Sequence, residues 1–263
     1  MPSGGVRGDI IAVLHFFIPP ITFTITYFIS TSLDHVVQIF PYISDTGTTS
    51  PESCLFTFFL ALYSLLTLIV VYTRWRIVAN RNVSGRATPR LNNVAICCGF
   101  AAALGALIVA SFQETSVLIV HLVGAGMIFL FGIIYIWLQT IISYKLPFVK
   151  GYSACLCHFR FVVACLTTGS VIAFFITGIF SHTEKNKSTA IFGLSEEVIY
   201  AMHISSTSLE WASVGWLCIY FVTFAAEFKH VRIGMPVMHT EPRTIGFSQM
   251  ELDSISTDGS NKF

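Results

Sequence analysis

Charge is what this sequence has least of. Only 11% of its 263 residues are Asp, Glu, Lys or Arg, while 54% are apolar and 24 are Phe, so a water-soluble domain of this size is excluded. The formal net charge of +1 gives no electrostatic footprint for nucleic acid, and none is expected as a partner. Cysteine is scarce where disulfides would form. Of the seven cysteines only Cys54 falls near what is assigned below as the lumenal side, so no lumenal disulfide framework can be built. Catalytic motifs are missing as well: there is no nucleophile elbow, no P-loop, no zincin helix and no metal-spaced histidine pair on one helix. The sequence thus implies no catalytic residue, no cofactor and no metal site.

What the chain does have is apolar runs of membrane-spanning length. About 30 Å of hydrocarbon takes roughly 20 helical residues, and six segments qualify, approximately 10–30, 54–73, 94–112, 116–141, 159–180 and 200–225. The expected fold is all-α, a polytopic bundle of six transmembrane helices over residues 1–232. The first run is longer than a signal-peptide core and no small-residue cleavage pattern follows it, so it is taken as a retained helix. Residues 233–263 form a polar, serine-rich tail, whose composition predicts disorder and a phosphorylation or adaptor-binding segment.

Orientation follows from the basic residues, which remain cytoplasmic in short loops. Arg74, Arg76, Arg81, Arg86 and Arg90 follow the second run, Lys145, Lys150 and Arg160 surround the start of the fifth, and all the other basic residues except Lys185 and Lys187 lie at the two ends of the chain. Both termini are therefore expected in the cytosol. Of two glycosylation sequons, Asn186 falls on the lumenal side and is the expected acceptor, whereas Asn82 falls in the arginine loop and is expected to stay unused. Cys155-Leu156-Cys157-His158 superficially resembles a metal motif, but juxtamembrane Cys155 and Cys157 are more economically explained as palmitoylation sites or small apolar residues.

Small residues in the third, fourth and fifth runs, among them Gly99, Gly105, Gly124, Gly126 and Gly169, are expected to let helices approach, within one chain or in a homo-oligomer. Phenylalanines at 56–59 and 129–131 are expected to face lipid. The expensive residues are the ionisable ones within the runs: His15, His121, His203 and Glu210. With the topology above, His121, His203 and Glu210 lie toward the lumen, where Asp45 and Glu114 from two loops can join them in a polar cluster. A structural role in packing and a role as a ligand, lipid-headgroup or proton site both fit these residue types.

The lumenal loop Pro41-Tyr42-Ile43-Ser44-Asp45-Thr46-Gly47, followed by Pro51-Glu52-Ser53, resembles the signature of the damage-regulated autophagy modulator family. Tyr72-Thr73-Arg74, Phe112-Gln113-Glu114, His121, Leu138-Gln139, Ser143-Tyr144-Lys145, His158-Phe159-Arg160, His203 and Glu210-Trp211 continue the resemblance over residues 10–232. The wider superfamily includes Golgi proteins of glycosylphosphatidylinositol-anchor lipid remodelling and plasma-membrane regulators of phosphoinositide signalling. The resemblance implies a lysosomal six-helix protein that promotes autophagy and stress-linked apoptosis as a non-enzymatic regulator. The alternative it leaves open is a lipid-binding or lipid-remodelling protein of Golgi or plasma membrane using the lumenal cluster. A channel or solute carrier is a third class, with no inverted repeat to support it. Membrane lipids and a cytosolic adaptor of the tail are the expected partners.

Overall fold

The computed structural model describes residues 5–81, 87–146, 153–185 and 192–234. Its elements run β1 (Val6–Arg7), α1 (Gly8–Ser32), a 3-10 turn (Asp45–Gly47), α2 (Glu52–Ala79), α3 (Ala87–Ser111), α4 (Leu118–Lys145), α5 (Ala154–Lys185), α6 (Glu196–Val222), α7 (Ala225–Phe228) and β2 (Arg232–Ile233). All belong to one compact unit, Met1–Ile233. Asn82, Asn186 and the serine-rich tail lie outside the described residues.

Among the described residues six helices are long and apolar enough to cross a membrane, which makes the protein a multi-pass membrane protein. Helical geometry satisfies every backbone group within the segment, the condition hydrocarbon imposes. The spans outrun the apolar runs that mark them. Helix α5 starts at Ala154 rather than Phe159 and ends at Lys185, and α2 and α6 begin at Glu52 and Glu196, because polar first and last turns remain helical outside the hydrocarbon.

Each helix packs on its neighbours in sequence, and α1 packs on α6 to close the bundle. Two-residue strands β1 and β2 pair antiparallel, Val6 opposite Ile233 and Arg7 opposite Arg232, and the Gly8 N–H donates to the Val231 carbonyl at 2.9 Å. We refer to this as the ribbon end, and to the opposite one, carrying residues 41–53, as the loop end.

The distribution of side chains is inverted relative to a soluble protein. Phe17, Phe28, Phe58, Leu130, Ile172 and Ile179 are exposed, while His15, Thr67, Arg74, Gln139, Arg160 and Thr207 are buried. Interior hydroxyls are satisfied locally, as Thr140 donates to the Ile136 carbonyl and Thr167 to that of Val163, 2.7 and 2.8 Å away. Helices α3 and α4 meet at Gly105 and Gly124, where a Cβ on Gly105 would fall 2.6 Å from the Gly124 carbonyl oxygen. Gly126 and Gly169 instead face open space, so they are not packing positions between helices of this chain.

Two apolar clusters stack along the bundle. The larger, toward the ribbon end, includes Val70, Tyr135, Ile142, Ala164 and Phe224, and the smaller, toward the loop end, includes Phe23, Ile43, Phe56 and Val109. The expectation that both phenylalanine-rich stretches face lipid is corrected here. Phe58 is exposed, but Phe56 and Phe129 point inward, Phe56 against Phe23 and Phe129 against Phe174 and Phe175, because residues two apart on a helix project about 200° from one another.

Candidate functional site

The signature loop folds inward as a cap. The Trp211 indole N–H donates to the Pro41 carbonyl at 3.0 Å, the Tyr42 hydroxyl to Ser206 at 3.1 Å, and the Ile43 backbone N–H to the Glu210 carboxylate at 2.7 Å, three latches onto α6. Asp45 accepts the Tyr42 backbone N–H at 3.3 Å, and the Thr46 hydroxyl donates to the Ile43 carbonyl at 2.7 Å while lying 3.0 Å from that of Thr26 on α1. Ile43 is buried in the smaller apolar cluster, and Gly47 lies so close to the Phe56 ring that no Cβ fits. The Pro-Tyr-Ile-Ser-Asp-Thr-Gly order therefore describes one tightly fastened turn.

Beneath the loop is a cavity of about 80 Å³, lined by Ile43 and Ser44 from the loop and by Phe23, Tyr63, His121 and Glu210 from four helices. His121 Nδ1 lies 2.7 Å from the Phe112 carbonyl, which can only accept, so Nδ1 carries a proton and donates it. His203 packs edge-on against the Tyr42 ring, 5.3 Å between centroids. Burial pushes the Asp45 carboxyl up to about 6, with a further upward push from the Glu114 charge and a smaller opposing effect of the Tyr42 N–H.

Asp45, Glu114, His121, His203 and Glu210 thus all lie at the loop end, but no hydrogen bond or ion pair joins any two of them among the described residues. Asp45 bonds a main-chain amide and neither histidine, and Glu210 holds Ile43. A second pair there escaped sequence reasoning: His35 Nδ1 lies 2.6 Å from the Glu52 carboxylate, which is itself fully buried. A histidine in a loop and a glutamate opening a helix look like ordinary boundary residues, and the only sequence signal for the pair is the place of Glu52 in the resemblance motif Pro51-Glu52-Ser53. Of the two juxtamembrane cysteines, Cys155 is exposed whereas Cys157 is buried, with its thiol 3.6 Å from the Ser143 carbonyl.

The ribbon end holds the largest surprise. Arg74 of α2 and Arg160 of α5, both 0% exposed, flank Glu227 of α7. Arg74 pairs with one oxygen of Glu227, and Arg160 with the other at 2.8 Å. Arg74 Nε also donates to Gln139 at 2.9 Å, while Arg160 donates to Ser143 at 2.9 Å and to the Thr223 hydroxyl at 2.8 Å. Both guanidinium groups lie over the Phe224 ring, their central carbons 5.2 and 4.9 Å from its centroid. From sequence, Arg74 and Arg160 counted as loop charge and Glu227 as a helix boundary. The signal that could have found them is the recurrence of Arg74, Gln139, Ser143 and Arg160 among the resemblance motifs.

Six spanning helices, a loop fastened over a small and mostly apolar cavity at one end and a buried ion cluster at the other define a multi-pass membrane protein organised around its two ends. The chain belongs to the Frag1/DRAM/Sfk1/Cwh43P family, whose N-terminal domain matches residues 7–231. It is 34% identical to DNA damage-regulated autophagy modulator protein 1 of Homo sapiens over 212 residues, 80% of this chain and 87% of the relative. DNA damage-regulated autophagy modulator protein 2 of Homo sapiens is 29% identical over 219 residues, 80% of each chain. The modulator of macroautophagy TMEM150B of Danio rerio is 32% identical over 192 residues, 73% of this chain and 72% of the relative. No solved structure matches.

Proposed function

We propose that this protein is a lysosomal membrane protein that promotes autophagy and takes part in stress-linked apoptosis, acting as a non-enzymatic regulator. The observation that carries this reading is the similarity, across most of the bundle, to relatives named as autophagy modulators. In this reading the ribbon end, beside the arginine-rich loop, faces the cytosol, and the loop end faces the acidic lumen. Asp45, with its carboxyl pushed up to about 6, then changes charge between cytosolic and lysosomal pH. Asn186 carries a glycan on the lumenal side, and the tail offers an adaptor site to the cytosol.

The test is localisation of the C-terminally tagged protein against lysosomal, Golgi and plasma-membrane markers, with autophagic flux measured after its depletion in the same cells. Lysosomal signal with reduced flux supports the proposal. Golgi or surface signal with normal flux overturns it and turns attention to the lipid-handling alternative.

A further inference from the structure

Between His35 and Asp45 the chain reads Val36-Val37-Gln38-Ile39-Phe40-Pro41-Tyr42-Ile43, with no charged side chain. It belongs to a connection between α1 and α2, yet three of its apolar side chains turn outward: Val37, Ile39 and Phe40 are 74, 59 and 52% exposed. Apolar surface of this extent on a short connection is unfavourable in water. Phe40 has a φ of 43°, a left-handed backbone that aromatic residues rarely adopt, at the point where exposed Phe40 gives way to buried Pro41.

The segment also runs down beside the spans. The Gln38 carbonyl accepts the Tyr27 hydroxyl at 2.7 Å, the Pro41 carbonyl accepts the Trp211 indole N–H, and Ile43 shares a buried cluster with Phe23. Two counts give the depth of these anchors. Roughly 20 helical residues cross the hydrocarbon, so the layer entered at Ile10 ends near residue 30 of α1, and the layer entered at Ala225 ends near residue 205 of the Glu196–Phe228 span. Phe23 is seven residues inside the first limit and Trp211 six inside the second, which at 1.5 Å per residue is about 10 Å for each. Tyr27, three residues inside, is about 5 Å deep by the same rise.

Non-helical backbone at that depth survives where protein satisfies its polar groups. Here Tyr27 and Trp211 donate to the carbonyls of Gln38 and Pro41, Asp45 accepts the Tyr42 N–H, Glu210 accepts the Ile43 N–H, and Thr46 donates to the Ile43 carbonyl. The outer side continues a lipid-facing surface. Ile21, Ile25 and Phe28 are exposed along one face of α1, and Phe28 packs edge-on against Tyr27, whose hydroxyl holds Gln38.

We propose that residues 37–43 form a re-entrant turn set into the loop-end leaflet, its polar backbone latched to α1 and α6 and its Val37, Ile39 and Phe40 side chains in contact with lipid acyl chains.

The experiment places the full-length chain in phosphatidylcholine nanodiscs, with the exposed cysteines Cys54, Cys97, Cys155 and Cys165 replaced by serine and Ile39→Cys labelled with bimane. Asp34→Cys, just past the end of α1, reports the water-facing part of the same connection. Bimane at position 39 is expected to be quenched at least threefold more by a nitroxide near the top of a lipid acyl chain than by aqueous iodide, with the order reversed at position 34. Ile39→benzoylphenylalanine in the chain with all its cysteines stands in should the serine background misfold, and photo-crosslinked lipid, resolved by mass spectrometry, is the expected adduct. Iodide quenching as strong at position 39 as at position 34, a crosslink to a second copy of the chain in place of lipid, or no lipid adduct overturns the proposal.

Discussion

At the ribbon end Glu227 is met by two arginines, a glutamine-anchored guanidinium and an aromatic ring; at the loop end Asp45, Glu114 and Glu210 gather with no basic side chain paired to them among the described residues. The first arrangement fixes α2, α5 and α7 to one another through charges that have nowhere else to go. The second fastens a loop to α6 through neutral donors, each of which can be exchanged for water or a ligand. A bundle built this way has one end that is locked and one that can open. Apolar packing shows the same asymmetry, with the larger cluster at the ribbon end and a cavity interrupting the smaller one.

The largest expected effect comes from breaking the locked end. Glu227→Ala leaves two buried arginines without a carboxylate, a loss of about 3–5 kcal/mol, and thermal unfolding in detergent should show a large drop in midpoint together with poor recovery of monodisperse protein. A Glu227→Ala protein as stable as wild type would erase the contrast between the ends.

Next is Gly47→Ala, which drives a methyl group into the Phe56 ring. Overpacking of this kind costs about 1–3 kcal/mol. The same melt should register it, while Gly126→Ala, with open space around it, should change little.

A smaller effect concerns pH. The Asp45 carboxyl is pushed up to about 6 in the folded chain, above its ordinary 3.8, so the folded state binds the proton more tightly than the unfolded one. Its favourable contribution is complete below about pH 4 and is lost as pH rises through about 6. Raising the pH from 4.5 to 7.5 should therefore lower the unfolding midpoint of the wild type by about 2–4 °C for each kcal/mol lost. Asp45→Asn keeps an acceptor for the Tyr42 N–H and should flatten this dependence, whereas variants at the ribbon end should leave it in place.

The mildest test is chemical. A maleimide reagent should modify Cys155 in the folded protein and spare Cys157 until the ribbon end unfolds, read as mass increments on peptides; equal labelling would mean that this end is looser than its ion cluster implies.

The spans were legible from composition alone because a bilayer demands a run of apolar residues that nothing else in a protein of this size requires. Their ends were less so: Glu52, Glu196 and Lys185 are helical although their polarity resembles loop. The membership of the loop-end cluster could be inferred, since Asp45, His121, His203 and Glu210 share a side of the membrane once orientation is assigned. Their wiring could not, because the main-chain amides of Tyr42 and Ile43 carry no letter in the sequence. The ion cluster was hidden for a different reason. Counting arginines to orient a protein treats Arg74 and Arg160 as solvated charge, and only the folding of α7 back over Phe224 brings Glu227 between them. Phe56 and Phe129 were misassigned because an unbroken apolar run does not reveal which of its faces turns inward.

The pairing of Val6 and Arg7 with Ile233 and Arg232 also has a meaning for how the chain is made. During synthesis the earliest helix leaves the insertion machinery long before residues 231–233 exist, yet its first turn is completed by the Val231 carbonyl and its flank by α6 and α7. The His15 ring likewise waits for Phe221 of α6, although its Thr67 partner on α2 is made much earlier. Helix α1, made before α6, is thus finished only after it.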